Sequence, residues 1–210
     1  TGKTYLARAS NIEQYTQSRF NPEGQLALDA PSMSEPSLPE LITPNFKSAD
    51  LIGRRYGLLM TEEDISIDSL GLSNPSAAIM ALGSVTARSV LPLSCRVEDF
   101  SPALVKDGAV RIEKFYNMSC SVSIEDDWHM AINEWVKEYS LDCVVTPRLM
   151  IGPVRTRLQR AVMDLNVPLF EISRTYDRAV TKYAKRGFFG LKKKIPNILM
   201  ELGIQATQCH

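Results

Sequence analysis

The sequence predicts a three-layer α/β domain on an open, mainly parallel sheet, carried behind an extended N-terminal arm. Three observations predict it. Short, continuous apolar runs recur between residues 56 and 172, as strands buried on both faces of a parallel sheet require. Helical apolar stripes separate several of those runs. Residues 1–50 lack clear periodicity and hold Pro22, Pro31, Pro36, Pro39 and Pro44.

The arm comes first. Its stretch from Ala30 to Pro44 reads as an extended polar linker suited to lie on a surface, with a short helix within Asn11–Arg19. The α/β domain is expected over 51–210. Gly57–Met60 is the first strand candidate, Val90–Cys95 the second, Leu141–Thr146 the third and Val167–Ile172 the fourth, with Pro168 at its beginning. Ser123 is expected to cap a helix whose first turn holds Glu125 and Asp126, where negative charge is favourable. Trp128, Ala131, Ile132, Trp135 and Val136 then form one apolar face, so both tryptophans read as core. A second helix opens at Pro153, whose missing N–H costs nothing in a first turn, and its stripe runs through Val154, Leu158, Ala161, Val162 and Leu165. Tyr176, Val180, Tyr183 and Ala184 make a third stripe. Ile195, Ile198, Leu199 and Leu202 make a fourth, opened by Pro196 and stopped by Gly203.

Composition narrows the function classes. Basic and acidic residues number 24 each, so no whole-molecule field draws the chain to nucleic acid or anionic membrane, and only a local patch can act that way. No run approaches the roughly 18 apolar residues of a membrane span. Cys95, Cys120, Cys143 and Cys209 contain no CxxC pair, which argues against a zinc knuckle or a disulfide framework and for an intracellular reducing compartment. With only His129 and His210, histidine-rich metal sites and most Ser-His-Asp arrangements fall away. The chain begins at Thr1 without a signal pattern, leaving two readings open. Either a targeting peptide has been removed, which suits an organelle matrix as well as the cytoplasm, or this is the downstream piece of a longer protein.

Several residues invite a chemical reading. Thr1-Gly2-Lys3-Thr4 looks like the end of a phosphate-binding P-loop, and Leu58–Asp64 could imitate its acidic strand, but the preceding strand and earlier glycine are missing. The loop Thr146–Gly152 runs from a strand into the helix at Pro153. In an open parallel sheet this carboxyl edge is where ligands bind, so Thr146, Arg148, Gly152 and Arg155 are the candidate ligand residues, with Arg157 adding charge. The plainer alternative is a solvated connection. Lys182, Lys185, Arg186, Lys192, Lys193 and Lys194 surround Phe188-Phe189, a pattern that can hold a phosphate backbone and stack bases. Lys185, Arg186, Phe188, Lys192 and Lys193 are thus candidate DNA or partner contacts. The same phenyls serve equally as anchors pinning a turn between helices, with the lysines as a solvated face. Glu62–Asp64 and Glu125–Asp127 need no catalytic role, and no metal site is expected.

One resemblance gathers these segments. Tyr5–Ile12 (YLARASNI) with Arg19-Phe20-Asn21-Pro22 resembles the stretch that follows the flavin pocket in photolyase/cryptochrome-related proteins. Gly57–Asp64 (GLLMTEED), Val144–Leu158 (VVTPRLMIGPVRTRL) and Tyr176–Pro196 resemble an accessory α/β domain of such FAD-binding proteins. The resemblance implies a Rossmann-like, photolyase-type domain whose relatives hold an antenna chromophore at the sheet edge. It also implies that the flavin module lies upstream of Thr1, so no FAD-binding or catalytic residue carries over to any position here. FAD or an antenna chromophore is then the expected cofactor, and a protein partner or the flavin module itself the expected neighbour. The primary expectation is a non-catalytic accessory or assembly component. The alternative is part of a light-dependent, FAD-containing DNA-repair or photoreceptor protein, with a P-loop ATPase a distant third.

Overall fold

The computed structural model describes residues 6–30, 46, 48–72, 77–86, 89, 91–184 and 187–204. The Thr1–Thr4 motif, all of the Ala30–Pro44 linker beyond Ala30, Val90, Lys185 and Arg186 lie outside the described residues. The chain forms two compact units, Thr1–Leu41 and Ile42–His210. In the first, α1 spans Ala9–Tyr15, beginning two residues before the expected start and ending well short of Arg19. Thr16 closes it by donating its hydroxyl to the Ile12 carbonyl at 2.7 Å, and Gln17 and Ser18 then take positive φ values of 54° and 58°, which helical residues do not adopt.

The second unit is a five-stranded, all-parallel sheet. In chain order its elements are β1 (Tyr56–Thr61), β2 (Ala78–Gly83), α2 (Cys95–Tyr116), β3 (Cys120–Ile124), α3 (Trp128–Glu138), β4 (Cys143–Pro147), α4 (Pro153–Ala161), β5 (Leu169–Ile172), α5 (Thr175–Thr181), α6 (Gly187–Lys192) and α7 (Ile195–Glu201). The strands lie in the order β3-β2-β1-β4-β5, so the direction of progression reverses between β1 and β4. Leu59 pairs with Met80 in register, Leu58 with Val145, and Val145 with Phe170. The three-layer α/β expectation holds, with the Rossmann-like arrangement of strands between helices.

Strand alternation sorts the core onto two faces. Leu59, Met80, Leu82 and Val144 meet Trp128, Ile132 and Trp135 of α3 and Val154 and Leu158 of α4. Leu58, Met60, Ile79, Ala81, Cys143 and Val145 meet Val105, Ala109 and Ile112 of α2. All six residues of β1 and of β2 are buried, as a strand covered on both sides demands. Gly57 lets α3 approach β1 closely, because a methyl there would lie 2.4 Å from a Trp135 ring carbon. The tryptophans are core, 1% and 2% exposed.

Four expectations need correction. The run to Cys95 is not a strand. Residues 91–94 are irregular, Leu91 is 71% exposed, and Cys95 opens α2. The second strand is instead the Ala- and Met-rich β2. Ser123 does not cap α3 but lies within β3; Asp127 is the cap, its carboxylate accepting the Met130 amide at 3.0 Å. Val162 and Leu165 fall beyond the end of α4, and Tyr176 faces out at 60% exposure while Ala179 fills the buried position of α5.

Candidate functional site at the carboxyl edge

The strand reversal falls between the carboxyl ends of β1 and β4, the position at which ligands bind in open parallel sheets. β1 ends in a tight turn, the Asp64 amide donating to the Thr61 carbonyl at 3.0 Å, which tucks Glu62 inside at 3% exposure and leaves Glu63 outside. From β4 the chain runs through Pro147 and the half-buried Arg148 to Gly152, the N-cap of α4. Gly152 is extended there, and its carbonyl accepts both the amide and the hydroxyl of Thr156 at 3.1 Å. The first amides of α4 have no carbonyl within their own helix to meet. A side chain grown from Gly152 would come to 3.9 Å from Glu63 Oε1, so this carboxylate already neighbours the helix start.

Thr61 and Thr146 define the floor. By alternation from Leu59 and Val144 both point to the face that carries α3 and α4. Thr61 is 1% exposed and Thr146 0%, yet neither hydroxyl has a hydrogen-bond partner among the described residues. Ser173, just after β5 and 8% exposed, holds another such hydroxyl, as do Ser101 of α2 and Ser123 of β3. A buried hydroxyl without a partner carries a desolvation cost of about 1–3 kcal/mol, and a ligand or ordered water removes it. Each of these hydroxyls can both donate and accept a hydrogen bond.

Two clasps flank this floor. On the β2–β3 side, Arg157 of α4 donates to Ser84 Oγ at 2.6 Å, to Asp126 Oδ1 at 3.0 Å and to Thr86 Oγ1 at 2.7 Å. Ser84 and Thr86 in turn donate to the Asp126 carboxylate, Thr86 at 2.8 Å. The Ser84 hydroxyl first, with Thr86 and Arg157 adding to it, holds the Asp126 carboxyl below its ordinary range against a smaller opposing effect of burial. The guanidinium also lies 5.8 Å from the Trp128 ring centre, whose indole N–H donates to the Gly83 carbonyl at 3.1 Å. On the other side, Arg174 grips Asp64 through two bonds of 2.6 Å and reaches Ser69 Oγ at 2.5 Å and the Ser66 carbonyl at 2.9 Å. That bidentate pairing raises the already high Arg174 pKa.

The sequence-predicted residues divide. Thr146 is buried in β4, Arg148 is half-buried in the connection after it, and Gly152 is the N-cap of α4. Arg155 turns to Glu171 of β5 at 3.6 Å, both side chains about one-fifth exposed at 22% and 20%, while its Nε is buried without a partner among the described residues. Lys185 and Arg186 lie outside the described residues. Phe188 and Phe189 are 64% and 78% exposed with ring centres 5.7 Å apart, so they do not anchor a buried turn, and Lys192 and Lys193 stand exposed beside them. Sequence reasoning missed Thr61, Ser84, Asp126 and Arg174 as edge residues. The sequence signal was a hydroxyl residue close to the carboxyl end of four of the five strands: Thr61, Ser84, Thr146 and Ser173.

Other reactive groups lie elsewhere. His129 on α3 contacts the Ala161 carbonyl through Nδ1 at 2.9 Å and lines a surface groove of about 420 Å³ with Asn133, Lys137, Asp164 and Asn166. The N-terminal unit has its own hollow of about 800 Å³, bordered by Leu6, Arg8, Pro22, Leu26 and Asp29. Cys95, Cys120 and Cys143 are free thiols. Burial, with Glu113 adding to it, pushes Cys120 up to about 12, which keeps it a poor nucleophile. Among the described residues no helix is long and apolar enough to cross a membrane, and no group of three or more His, Cys, Asp or Glu side chains is placed to hold a metal ion.

Fold and edge together define a Rossmann-like α/β domain with buried hydroxyls at its switch point. No protein-family model matches the chain, and no curated protein matches it.

Proposed function

We propose that this chain is a photolyase/cryptochrome-like α/β domain acting as a non-catalytic accessory or assembly component of a larger protein or complex, with a small heterocyclic cofactor seated at the carboxyl edge. The observation that carries this reading is the pair of buried, partnerless hydroxyls of Thr61 and Thr146 at the strand reversal. Thr61, Thr146 and Arg148 supply the hydrogen bonds, and Gly152 leaves room at the start of α4. A flavin ring offers the matching alternation of N–H and C=O. The free thiols suit an intracellular, reducing compartment.

The test is titration of the full chain into FAD and into flavin mononucleotide, followed by flavin fluorescence. Saturable quenching is expected, weakened at least about tenfold by Thr146→Val, the loss of one hydrogen bond to a buried group. Absence of saturable binding to either flavin, or equal binding by the Val variant, defeats the reading. A second reading makes the domain part of a light-dependent, FAD-containing DNA-repair or photoreceptor protein. It is favoured by the likeness of Tyr5–Ile12 and Arg19–Pro22 to the stretch that follows a flavin pocket. Light-stimulated repair by a protein with a flavin module restored upstream would support it, and an inactive flavin-loaded protein would remove it.

A further inference from the structure

The segment from α5 to α7 has a one-sided charge that the rest of the chain does not share. Between Asp177 and Glu201 stand seven basic residues and no acidic one, in a chain of zero formal net charge whose remaining residues are therefore net acidic. Of the two bounding acids, Asp177 sits 3.7 Å from Arg174, and Glu201 is bound by Lys182 at 2.5 Å. Lys192 and Lys193 are exposed and have no ion-pair partner among the described residues. α6, which ends at Lys192, buries no residue and presents Phe188 and Phe189 at 64% and 78% exposure. Two adjacent phenyls left in water cost free energy that contact with an apolar phase would recover.

We propose that α6 and the lysines at its C-terminal end form a peripheral docking surface for an anionic lipid bilayer, the two phenyls entering the headgroup boundary and Lys192 and Lys193 meeting acidic headgroups. Charge complementarity names the sign of the partner. The side chains name its kind. From Gly187 to Pro196 every side chain is apolar or lysine, with no amide, hydroxyl or carboxylate to read a base edge or a sugar. The two rings are inclined at 64°, so they do not offer parallel faces to two successive stacked bases. Phenyls with a lysine rim are the composition of an element that lies in a membrane interface without crossing it.

The experiment is co-sedimentation of the full chain with phosphatidylcholine vesicles, with and without about 30% phosphatidylserine, an acidic content that gives a surface potential comparable to a cytoplasmic leaflet. Binding is expected only with phosphatidylserine and is expected to fall as salt rises. Lys192→Gln with Lys193→Gln should weaken it about 25-fold, at about fivefold per lost charge. Phe188→Ser with Phe189→Ser should weaken it at least about tenfold. Both rings are exposed, so thermal midpoints of these variants should match the parent, which separates lost docking from lost folding. No phosphatidylserine-dependent sedimentation, or undiminished binding by the Phe variant, overturns the proposal. So does release from vesicles by a single-stranded oligothymidylate whose own binding needs the same two phenyls, a result that assigns the patch to nucleic acid.

Discussion

Gly57→Ala isolates the contact that sets the height of α3 above the sheet. The added methyl would lie 2.4 Å from Trp135 Cη2, 2.5 Å from Leu141 Cδ1 and 2.8 Å from Trp135 Cζ2. Carbon atoms settle at about 3.5–4.0 Å, so the methyl trespasses on the indole by roughly 1 Å. Leu141 can turn its methyl aside. The indole cannot do so cheaply, because it is 2% exposed and Trp128, two turns earlier on α3, is tied to Gly83. Overpacking of this kind costs about 1–3 kcal/mol, and the rigid ring argues for the upper end. Replacing a strand glycine returns about 0.5–1 kcal/mol of backbone entropy. The net expectation is a loss of about 2 kcal/mol, or about 4–8 °C in Tm for a chain of this size. Urea unfolding followed by tryptophan fluorescence measures it. Trp135→Phe removes the offending atoms, so in that background the cost of Gly57→Ala should shrink by at least about 1 kcal/mol. A Gly57→Ala protein as stable as the parent, or one whose cost is unchanged by Trp135→Phe, would refute the reasoning.

Thr146→Val exchanges a buried hydroxyl without a partner for a methyl of similar shape, so the ligand-free protein should gain about 1 kcal/mol by calorimetry. A loss of that size would mean that the hydroxyl is satisfied in solution. Arg174→Met leaves Asp64 half-buried and unpaired, the two side chains being 21% and 17% exposed, and should cost about 2 kcal/mol and speed proteolysis between Glu62 and Leu70. A variant as stable and as resistant as the parent contradicts that. The Asp126 carboxyl is lowered in the folded chain, so its contribution is present above the ordinary carboxylate range and disappears as pH falls through the folded value. Asp126→Asn should flatten that acid limb of the stability profile, by a modest amount because the side chain is 57% exposed. An unchanged limb locates the acid sensitivity elsewhere.

Legibility followed the strength of local pattern. β1 and β4 were readable because aliphatic runs buried on both faces leave little alternative, and α3 because its two tryptophans repeat at helical spacing. β2 was not, since alanine and methionine favour helix as much as strand when read alone. α2 was hidden by Pro102 and Gly108, which look like punctuation but sit inside a helix of 22 residues. Gly108 is there for packing, because a methyl would meet Ile65 Cβ at 3.0 Å. The segment Thr146–Gly152 was legible as a βα connection leading to Pro153. The duties of its arginines were not. Arg155 is drawn to Glu171 and Arg157 to Asp126, partners 16 and 31 residues away, and only the finished sheet brings them within reach. The same holds for Arg174, whose partner Asp64 lies 110 residues earlier.

If the carboxyl edge takes the proposed ligand, the two arginine clasps bear on how quickly it fills. Each ties a connection that would otherwise wander, one after β2 and β3, the other after β1 and β5. A guest arriving between them therefore meets walls already in place and pays little of the ordering cost that a disordered rim would impose. Occupancy should then follow a single kinetic phase whose rate rises linearly with guest concentration, without the plateau that marks a slow prior rearrangement. Loosening either clasp would reveal itself first as a slower arrival, before any change in the contacts at the floor.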